Sequence, residues 1–186
     1  MNKSKTIRII GGSLKNSKIR IVEEGIKPTT DRVRVTLFNW LHARIANKRV
    51  LDLFAGSGIL GLEALSRDSE EVIFIERSKK ASMALDQQLA KFQIDNYKNK
   101  QVDAIQFLKQ KNKEARFDII FLDPPYGSYE IHEILSLIVM NNWIVKKGYV
   151  FYESNVPLDL KVVEPLWNIY RKSKAGKVYY YLLCCN

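Results

Sequence analysis

Short apolar runs alternate with amphipathic segments along most of this chain. The runs are rich in valine, isoleucine and phenylalanine, which is typical of strands buried on both faces of a sheet. They occupy residues 49–54, 71–75, 117–122 and 149–153, with a weaker run at 100–102. Between them, apolar residues recur three or four positions apart, which predicts helices with one buried face. This alternation predicts an α/β fold with a mostly parallel, doubly wound sheet.

Both ends of the chain favour antiparallel pairs. Residues 6–10 and 18–22 alternate basic with apolar side chains around a Gly-Gly-Ser turn, which predicts a basic N-terminal hairpin, followed by a helix from Asp31. Residues 167–172 and 178–183 predict a closing antiparallel hairpin that completes a seven-stranded sheet. We expect residues 1–27 to form the N-terminal extension and residues 28–186 the main domain.

The charge of the chain is concentrated at its N-terminus. The net charge is +10, and residues 1–49 carry 12 Lys and Arg against 3 Asp and Glu, whereas the remainder carries 18 against 17. Such an excess favours a nucleic acid partner over an anionic membrane. No apolar run is long enough to span a membrane and no secretory signal is evident, so we expect a cytoplasmic protein. The adjacent Cys184 and Cys185 fit neither a disulfide framework nor a metal site.

A glycine-rich turn follows the first buried strand. Gly56 and Gly58 lie where a strand passes into a helix, so a ligand could approach the backbone closely. The spacing matches Gly-x-Gly-x-x-Gly, which by itself also fits a dinucleotide site. Asp52 inside the strand, and the lack of chain for a second domain, argue against an oxidoreductase. Glu76, at the tip of the next strand, is placed to accept hydrogen bonds from ribose hydroxyls, although a solvated carboxylate is the alternative. Asp103 is a candidate for an adenine edge, or simply a helix N-cap.

The sequence Asp123-Pro124-Pro125-Tyr126 follows the apolar run 117–122. Ligands of open α/β sheets bind at the carboxyl ends of the strands, and two prolines make this turn stiff. The Asp123 carboxylate and the Pro124 carbonyl could accept hydrogen bonds from both N–H groups of an exocyclic amino group while the Tyr126 ring stacks on the base. The turn therefore indicates a site for a nucleobase, with a proline turn capped by aspartate as the alternative.

Basic residues in the N-terminal quarter are candidates for phosphate contacts. Arg8, Lys18 and Arg20 alternate with apolar residues, so they would share the exposed face of the hairpin. The alternative is a solvated edge whose charges only prevent aggregation. Arg32 and Arg34 lie off the apolar stripe of the following helix, and they either contact a substrate backbone or are solvated.

Several segments together resemble the RsmD family, which belongs to the class I S-adenosylmethionine-dependent methyltransferases. Members of the RsmD family methylate the 2-amino group of one guanine in 16S ribosomal RNA. The segments are Arg8-Ile9-Ile10-Gly11-Gly12, Lys27-Pro28-Thr29-Thr30-Asp31-Arg32-Val33-Arg34, Thr36-Leu37-Phe38-Asn39-Trp40-Leu41 and Asp52-Leu53-Phe54-Ala55-Gly56-Ser57-Gly58. Many members have arginine where this chain has Lys27, and glutamate where it has Val35. The resemblance runs from about residue 6 to residue 183 and implies a Rossmann-like class I methyltransferase.

The resemblance also implies roles for the candidate residues. Asp52, Gly56 and Gly58 would hold the methionine end of S-adenosylmethionine, Glu76 its ribose and Asp103 its adenine, while residues 123–126 would hold the target guanine. We count Phe54 among the cofactor-binding residues and Thr30 among the substrate-binding ones. The implied partner is 16S ribosomal RNA in the small subunit or an assembly intermediate, bound by a monomer that needs no metal. A DNA adenine methyltransferase, a non-catalytic RNA-binding module and a nicotinamide oxidoreductase remain alternatives.

Overall fold

A computed structural model describes residues 6–22, 29–125, 127–163 and 166–186. The strands are β1 Thr6–Arg8, β2 Lys18–Arg20, β3 Arg49–Asp52, β4 Glu71–Ile75, β5 Tyr97–Lys100, β6 Phe117–Leu122, β7 Ile144–Ser154, β8 Trp167–Ala175 and β9 Val178–Cys185. The helices are α1 Asp31–Leu41, α2 Ile59–Leu65, α3 Lys79–Lys91, α4 Ala104–Lys109, α5 Ile131–Met140 and α6 Leu160–Val163.

Seven strands form one sheet in the order β5-β4-β3-β6-β7-β9-β8. The pairs from β5 to β7 are parallel, and β9 lies antiparallel to both β7 and β8. The predicted fold class is therefore confirmed, with β8 and β9 as the closing hairpin. The predicted strand at 100–102 was misplaced, because β5 ends at Lys100 and its exposed or half-buried side chains lack the apolar pattern of a central strand.

Two apolar layers cover the two faces of this sheet. One layer contains Phe121 and Phe151 with buried residues of α1, α2 and α3, and the other contains Ile120 with buried residues of α4 and α5. Central strands therefore have both faces buried, which explains their continuous apolar sequence.

The basic hairpin β1–β2 packs on the first of these layers. Ile7 and Ile19 are buried in that layer and face each other across the pair, whereas Arg8, Lys18 and Arg20 are exposed. Residues paired directly across two strands point to the same face, and so do residues two positions apart on one strand. The predicted hairpin with one packed and one basic face is therefore present.

A buried ionic network joins the hairpin to two helices. Glu63 of α2 is fully buried and accepts hydrogen bonds from the Arg34 and Arg67 guanidinium groups and, at 2.8 Å, from the Ile10 amide. Arg34 of α1 also donates to the Arg8 carbonyl at 2.9 Å and to the Asp31 carboxylate at 2.6 Å. Arg34 therefore links the hairpin, α1 and α2.

Candidate active site

The candidate site lies where the order of the sheet reverses, between β3 and β6. Successive crossovers run from β3 toward β5 on one side and from β6 to β7 on the other. A crevice forms at the carboxyl ends of the strands at such a point, and ligands bind there. Asp52 ends β3, Glu76 follows β4 and Asp123 follows β6. The topology thus brings three of the predicted acidic residues to one edge.

The glycine turn between β3 and α2 is tied to the end of β4 by Glu76. The Gly56 amide donates to one Glu76 carboxylate oxygen at 2.7 Å, and the Ser78 amide donates to the other at 2.7 Å. Gly56 and Gly58 have φ values of 54° and 74°, in the left-handed region that favours glycine. A carboxylate has about four acceptor positions, so Glu76 keeps capacity for ligand hydroxyls.

Asp52 is buried beneath this turn. One of its carboxylate oxygens accepts a hydrogen bond from the Gly61 amide at 2.9 Å. Burial raises the pKa of Asp52 to about 7, and the negative charges of Asp123 and Glu76 act in the same direction, while the Gly61 amide opposes them. Burial therefore disfavours the ionised form of Asp52, and a cationic ligand beside it would stabilise that form.

The third glycine of the motif, Gly61, allows α2 to pack against β4. A Cβ at Gly61 would lie 2.1 Å from Cε1 of Phe74, which no side chain could tolerate without a shift. This glycine therefore serves packing and places the amide that binds Asp52.

Asp103 caps α4 and also borders an aromatic pair. One carboxylate oxygen accepts from the Ile105 and Gln106 amides at 2.9 and 3.1 Å, while the other accepts from the Tyr129 hydroxyl at 3.3 Å. The Tyr129 ring lies 5.0 Å from the Phe54 ring, centroid to centroid. Burial and the negative charge of Asp103 raise the pKa of Tyr129, and Arg77 opposes them. The alternative interpretation of Asp103 as an N-cap is thus present in the structure, and the adenine contact stays a prediction.

Tyr129 was missed by the sequence analysis. It follows the proline turn by four residues and precedes α5, where an aromatic side chain gives no periodic signal. Its position beside Phe54 depends on how the loop after β6 folds back over the end of β3. Together, Tyr129 and Phe54 provide an apolar surface suited to a flat ring.

The Asp123 carboxylate is held by Thr29, which the sequence analysis placed only within a longer motif. The Thr29 hydroxyl donates to Asp123 Oδ2 at 2.7 Å, and Thr29 is only 1% exposed. Thr30, which we expected to contact substrate, accepts from the Val33 amide at 3.4 Å and caps α1. One threonine therefore starts the helix, and its neighbour orients the acid of the predicted base site.

The remaining residues of the proline turn differ in exposure. Pro124 is buried and Pro125 is exposed. Tyr126, predicted to stack on the target base, lies outside the described residues, as do Lys27 and Pro28 of the N-terminal motif.

Arg34 corrects one sequence-based prediction. We expected it off the buried stripe of α1 and near substrate, but it is fully buried in the network with Glu63. A guanidinium enclosed by three oxygen partners has no access to an RNA phosphate in this structure. Arg32 is exposed, as are Arg8, Lys18 and Arg20.

Residues 6–22, 29–125, 127–163 and 166–186 contain neither a metal-binding cluster nor a membrane-spanning helix. Within these residues there is no group of three or more His, Cys, Asp or Glu side chains that could hold a metal ion. No helix among them is long and apolar enough to cross a bilayer.

The chain is similar to a family and to several individual proteins. The family model described as Conserved hypothetical protein 95 matches residues 7–184. Ribosomal RNA small subunit methyltransferase D of Escherichia coli K12 is 40% identical over 177 residues, covering 95% of this chain and 88% of that protein. The protein of the same name from Haemophilus influenzae is 35% identical, covering 95% and 92%.

Solved structures agree with this similarity. Escherichia coli yhhF superposes with a TM-score of 0.87 at 36% identity, covering 98% of this chain and 99% of that chain. SMU.776, solved as a complex with SAH, shares the fold with a TM-score of 0.75 at 12% identity, covering 99% of this chain and 56% of that one. The fold is that of class I methyltransferases. The chain therefore belongs to the Conserved hypothetical protein 95 family, which is the RsmD family that the sequence resemblance indicated.

Proposed function

We propose that this protein transfers a methyl group from S-adenosylmethionine to the 2-amino group of a guanine in 16S ribosomal RNA. The observation that carries the proposal is the position of Asp123, oriented by Thr29, at the same sheet edge as the glycine turn and Glu76. Relatives named ribosomal RNA small subunit methyltransferase D support the substrate class. Guanine in particular follows from the family resemblance.

The carboxylates at this edge suit the positive charges of S-adenosylmethionine. The cofactor carries a cationic sulfonium and ammonium, and the carboxylates of Asp52, Glu76 and Asp123 lie close enough for their charges to interact. Asp52, Gly56 and Gly58 would hold the methionine end and Glu76 the ribose. The adenine would lie beside Asp103, against the Phe54 and Tyr129 rings. When bound, the cofactor supplies an electrophilic methyl group.

The work of the protein is then to orient a weak nucleophile. The lone pair of a guanine amino group is delocalised into the ring, so it attacks poorly. Asp123 and the Pro124 carbonyl would accept hydrogen bonds from its two N–H groups and aim the lone pair at the methyl carbon. Methyl transfer would leave the cofactor as a neutral thioether, and the Asp123 carboxylate would be placed to take the one proton that the methylated amine must lose. Tyr126 would stack on the base and offset part of the cost of unstacking it.

Exposed basic residues would hold the RNA backbone. Arg8, Lys18, Arg20 and Arg32 are exposed and available for phosphate contacts. We propose that the partner is 16S RNA in the small subunit or an assembly intermediate, bound by a monomer. We also propose a cytoplasmic location, because ribosomal RNA would be the substrate.

The test is transfer of labelled methyl to undermethylated 30S subunits, followed by nucleoside analysis. Labelled 2-methylguanosine at one 16S position supports the proposal, whereas label on adenine or only on DNA would make an adenine methyltransferase the better account. In parallel, Asp123→Ala should abolish transfer while calorimetry still detects cofactor binding. Near-normal transfer by this variant would contradict the role of Asp123.

A further inference from the structure

The C-terminal hairpin carries basic charge that a count over the whole chain conceals. Residues 50–166 carry 14 Lys and Arg against 17 Asp and Glu, whereas residues 167–186 contain four basic residues and no acidic one. The two segments nearly cancel when they are counted together. The basic residues are Arg171, Lys172, Lys174 and Lys177, and all are exposed.

The tip of this hairpin lies at the same edge of the sheet as Asp123. β7 runs parallel to β6 and ends at Ser154, which pairs with Tyr179 of β9. Tyr179 in turn pairs with Lys174 of β8, and the turn at residues 176–177 follows directly. β8 is three strands from β6 in the sheet, so these lysines lie about 15 Å to the side of the candidate site at ordinary strand spacing.

Two of the lysines share a face, and one is held in place. Lys172 and Lys174 are two residues apart on β8, so both project from the same side of the strand. The Lys174 ammonium donates to the Tyr179 hydroxyl at 2.9 Å and lies 4.5 Å from the centroid of that ring. An ammonium has three N–H groups, so Lys174 keeps donors for a further partner.

The N-terminal hairpin lies toward the opposite end of the sheet. It is docked on α2 and α3, where the Ser13 amide donates to the Ser66 carbonyl at 2.7 Å and the Arg20 amide to Gln88 at 2.7 Å. These helices lie over β3, β4 and β5, whereas β8 is the last strand at the other end. Along the sheet, exposed basic charge therefore lies to both sides of the β3–β6 switch point, on the hairpin β1–β2 at one side and on the hairpin β8–β9 at the other.

We propose that Lys172, Lys174 and Lys177 form a second phosphate-binding surface, which holds the RNA strand flanking the target base. The inference rests on the proposed function, because it takes the polyanion to be the RNA that enters at Asp123. A strand with one base in the site continues to both sides of it, and complementary charge on both flanks holds its backbone. Three positive charges and no nearby acid in the hairpin suit phosphates.

The experiment compares wild type with the triple variant K172Q/K174Q/K177Q. Equilibrium binding to unmodified, deproteinised 16S RNA is measured between about 0.1 and 1 M salt. Each phosphate contact contributes about 0.7 to the slope of log affinity against log salt, or about fivefold over that range. If at least two lysines contact phosphates, the slope falls by about 1.4 or more and binding at 0.1 M salt weakens about 25-fold.

A matched control changes three exposed lysines at the other edge of the sheet. Lys111 and Lys113 precede β6, and Lys146 lies near the start of β7. K111Q/K113Q/K146Q alters the net charge equally and should leave the slope near that of wild type. Circular dichroism and cofactor binding should be unchanged in both variants.

Three results would overturn the surface. They are an unchanged slope in the hairpin variant, an equal loss in the control, and, when binding to 30S subunits is measured as well, a loss with the subunits but not with the free RNA, which would indicate contact with a ribosomal protein. Normal methyl transfer with an unchanged slope rejects only this surface. Normal RNA binding that depends on the hairpin lysines, without methyl transfer by wild type, rejects only the proposed function.

Discussion

Asp52 should make the affinity for S-adenosylmethionine depend on pH. Its pKa in the free protein is raised to about 7, because the carboxylate is buried near Asp123 and Glu76. The cationic cofactor favours the ionised carboxylate, so binding releases a proton whenever Asp52 starts protonated. Affinity therefore rises with pH up to about 7 and levels off above it.

The size of the effect follows from this single titration. Provided the cofactor keeps Asp52 ionised, lowering the pH from about 7.5 to 5.5 weakens binding about 25-fold, or about 1.9 kcal/mol. Near pH 6, about 0.9 proton should be released per cofactor bound, by the same reasoning. S-adenosylhomocysteine lacks the sulfonium charge, so its affinity should vary less with pH.

Titration calorimetry in buffers of different ionisation enthalpy measures both the affinity and the proton release. Asp52→Asn supplies the control, because the side-chain oxygen of asparagine can still accept the hydrogen bond from the Gly61 backbone amide but the side chain cannot titrate. The variant should bind more weakly at pH 7.5 and show a flat profile. A wild-type dissociation constant that is constant between pH 5.5 and 7.5 would refute the reasoning.

Three substitutions test other parts of the structure. Thr29→Val should lower methyl transfer about 10- to 100-fold with unchanged cofactor affinity, because a hydrogen bond to the Asp123 carboxylate contributes about 1.5–3 kcal/mol; Thr29→Ser should restore activity, and equal loss in both would argue against the role. Glu63→Ala should lower the free energy of unfolding by about 3–5 kcal/mol in urea titrations, because Arg34 loses its buried carboxylate partner; a change below about 1 kcal/mol would contradict this. Gly61→Ala should cost about 1–3 kcal/mol of stability and also weaken cofactor binding, because the added methyl meets a buried phenylalanine ring; unchanged thermal and binding curves would count against that packing.

The sequence predicted those parts of the fold that repeat a pattern. Central strands were recognisable because they are buried on both faces, and the glycine turn was recognisable because it has fixed spacing. The edge strand β5 was misplaced because its Tyr-Lys-Asn-Lys sequence has little apolar surface to signal it.

The candidate site was predictable residue by residue only where chemistry and topology coincide. Asp52 ends a strand, and Glu76 and Asp123 each directly follow one, so their shared edge followed from the strand order. Thr29 and Tyr129 act through contacts with residues far away in the chain, and no local pattern reports such contacts. Arg34 was misjudged because a charged residue on a helix is usually exposed, and only its buried partner Glu63 explains the exception.

The network around Glu63 should make the N-terminal hairpin unfold together with the rest of the domain. Glu63 accepts from the Ile10 amide, and Arg34 donates to the Arg8 carbonyl, so detaching β1 and β2 would leave buried charges with fewer partners. Local opening of the hairpin should therefore cost nearly as much as global unfolding, and its amides should be among the slower ones in hydrogen exchange. Removal of residues 1–22 should therefore expose the apolar layer that the hairpin covers and should not give a stable, smaller domain. RNA that binds the folded hairpin should also stabilise the rest of the domain.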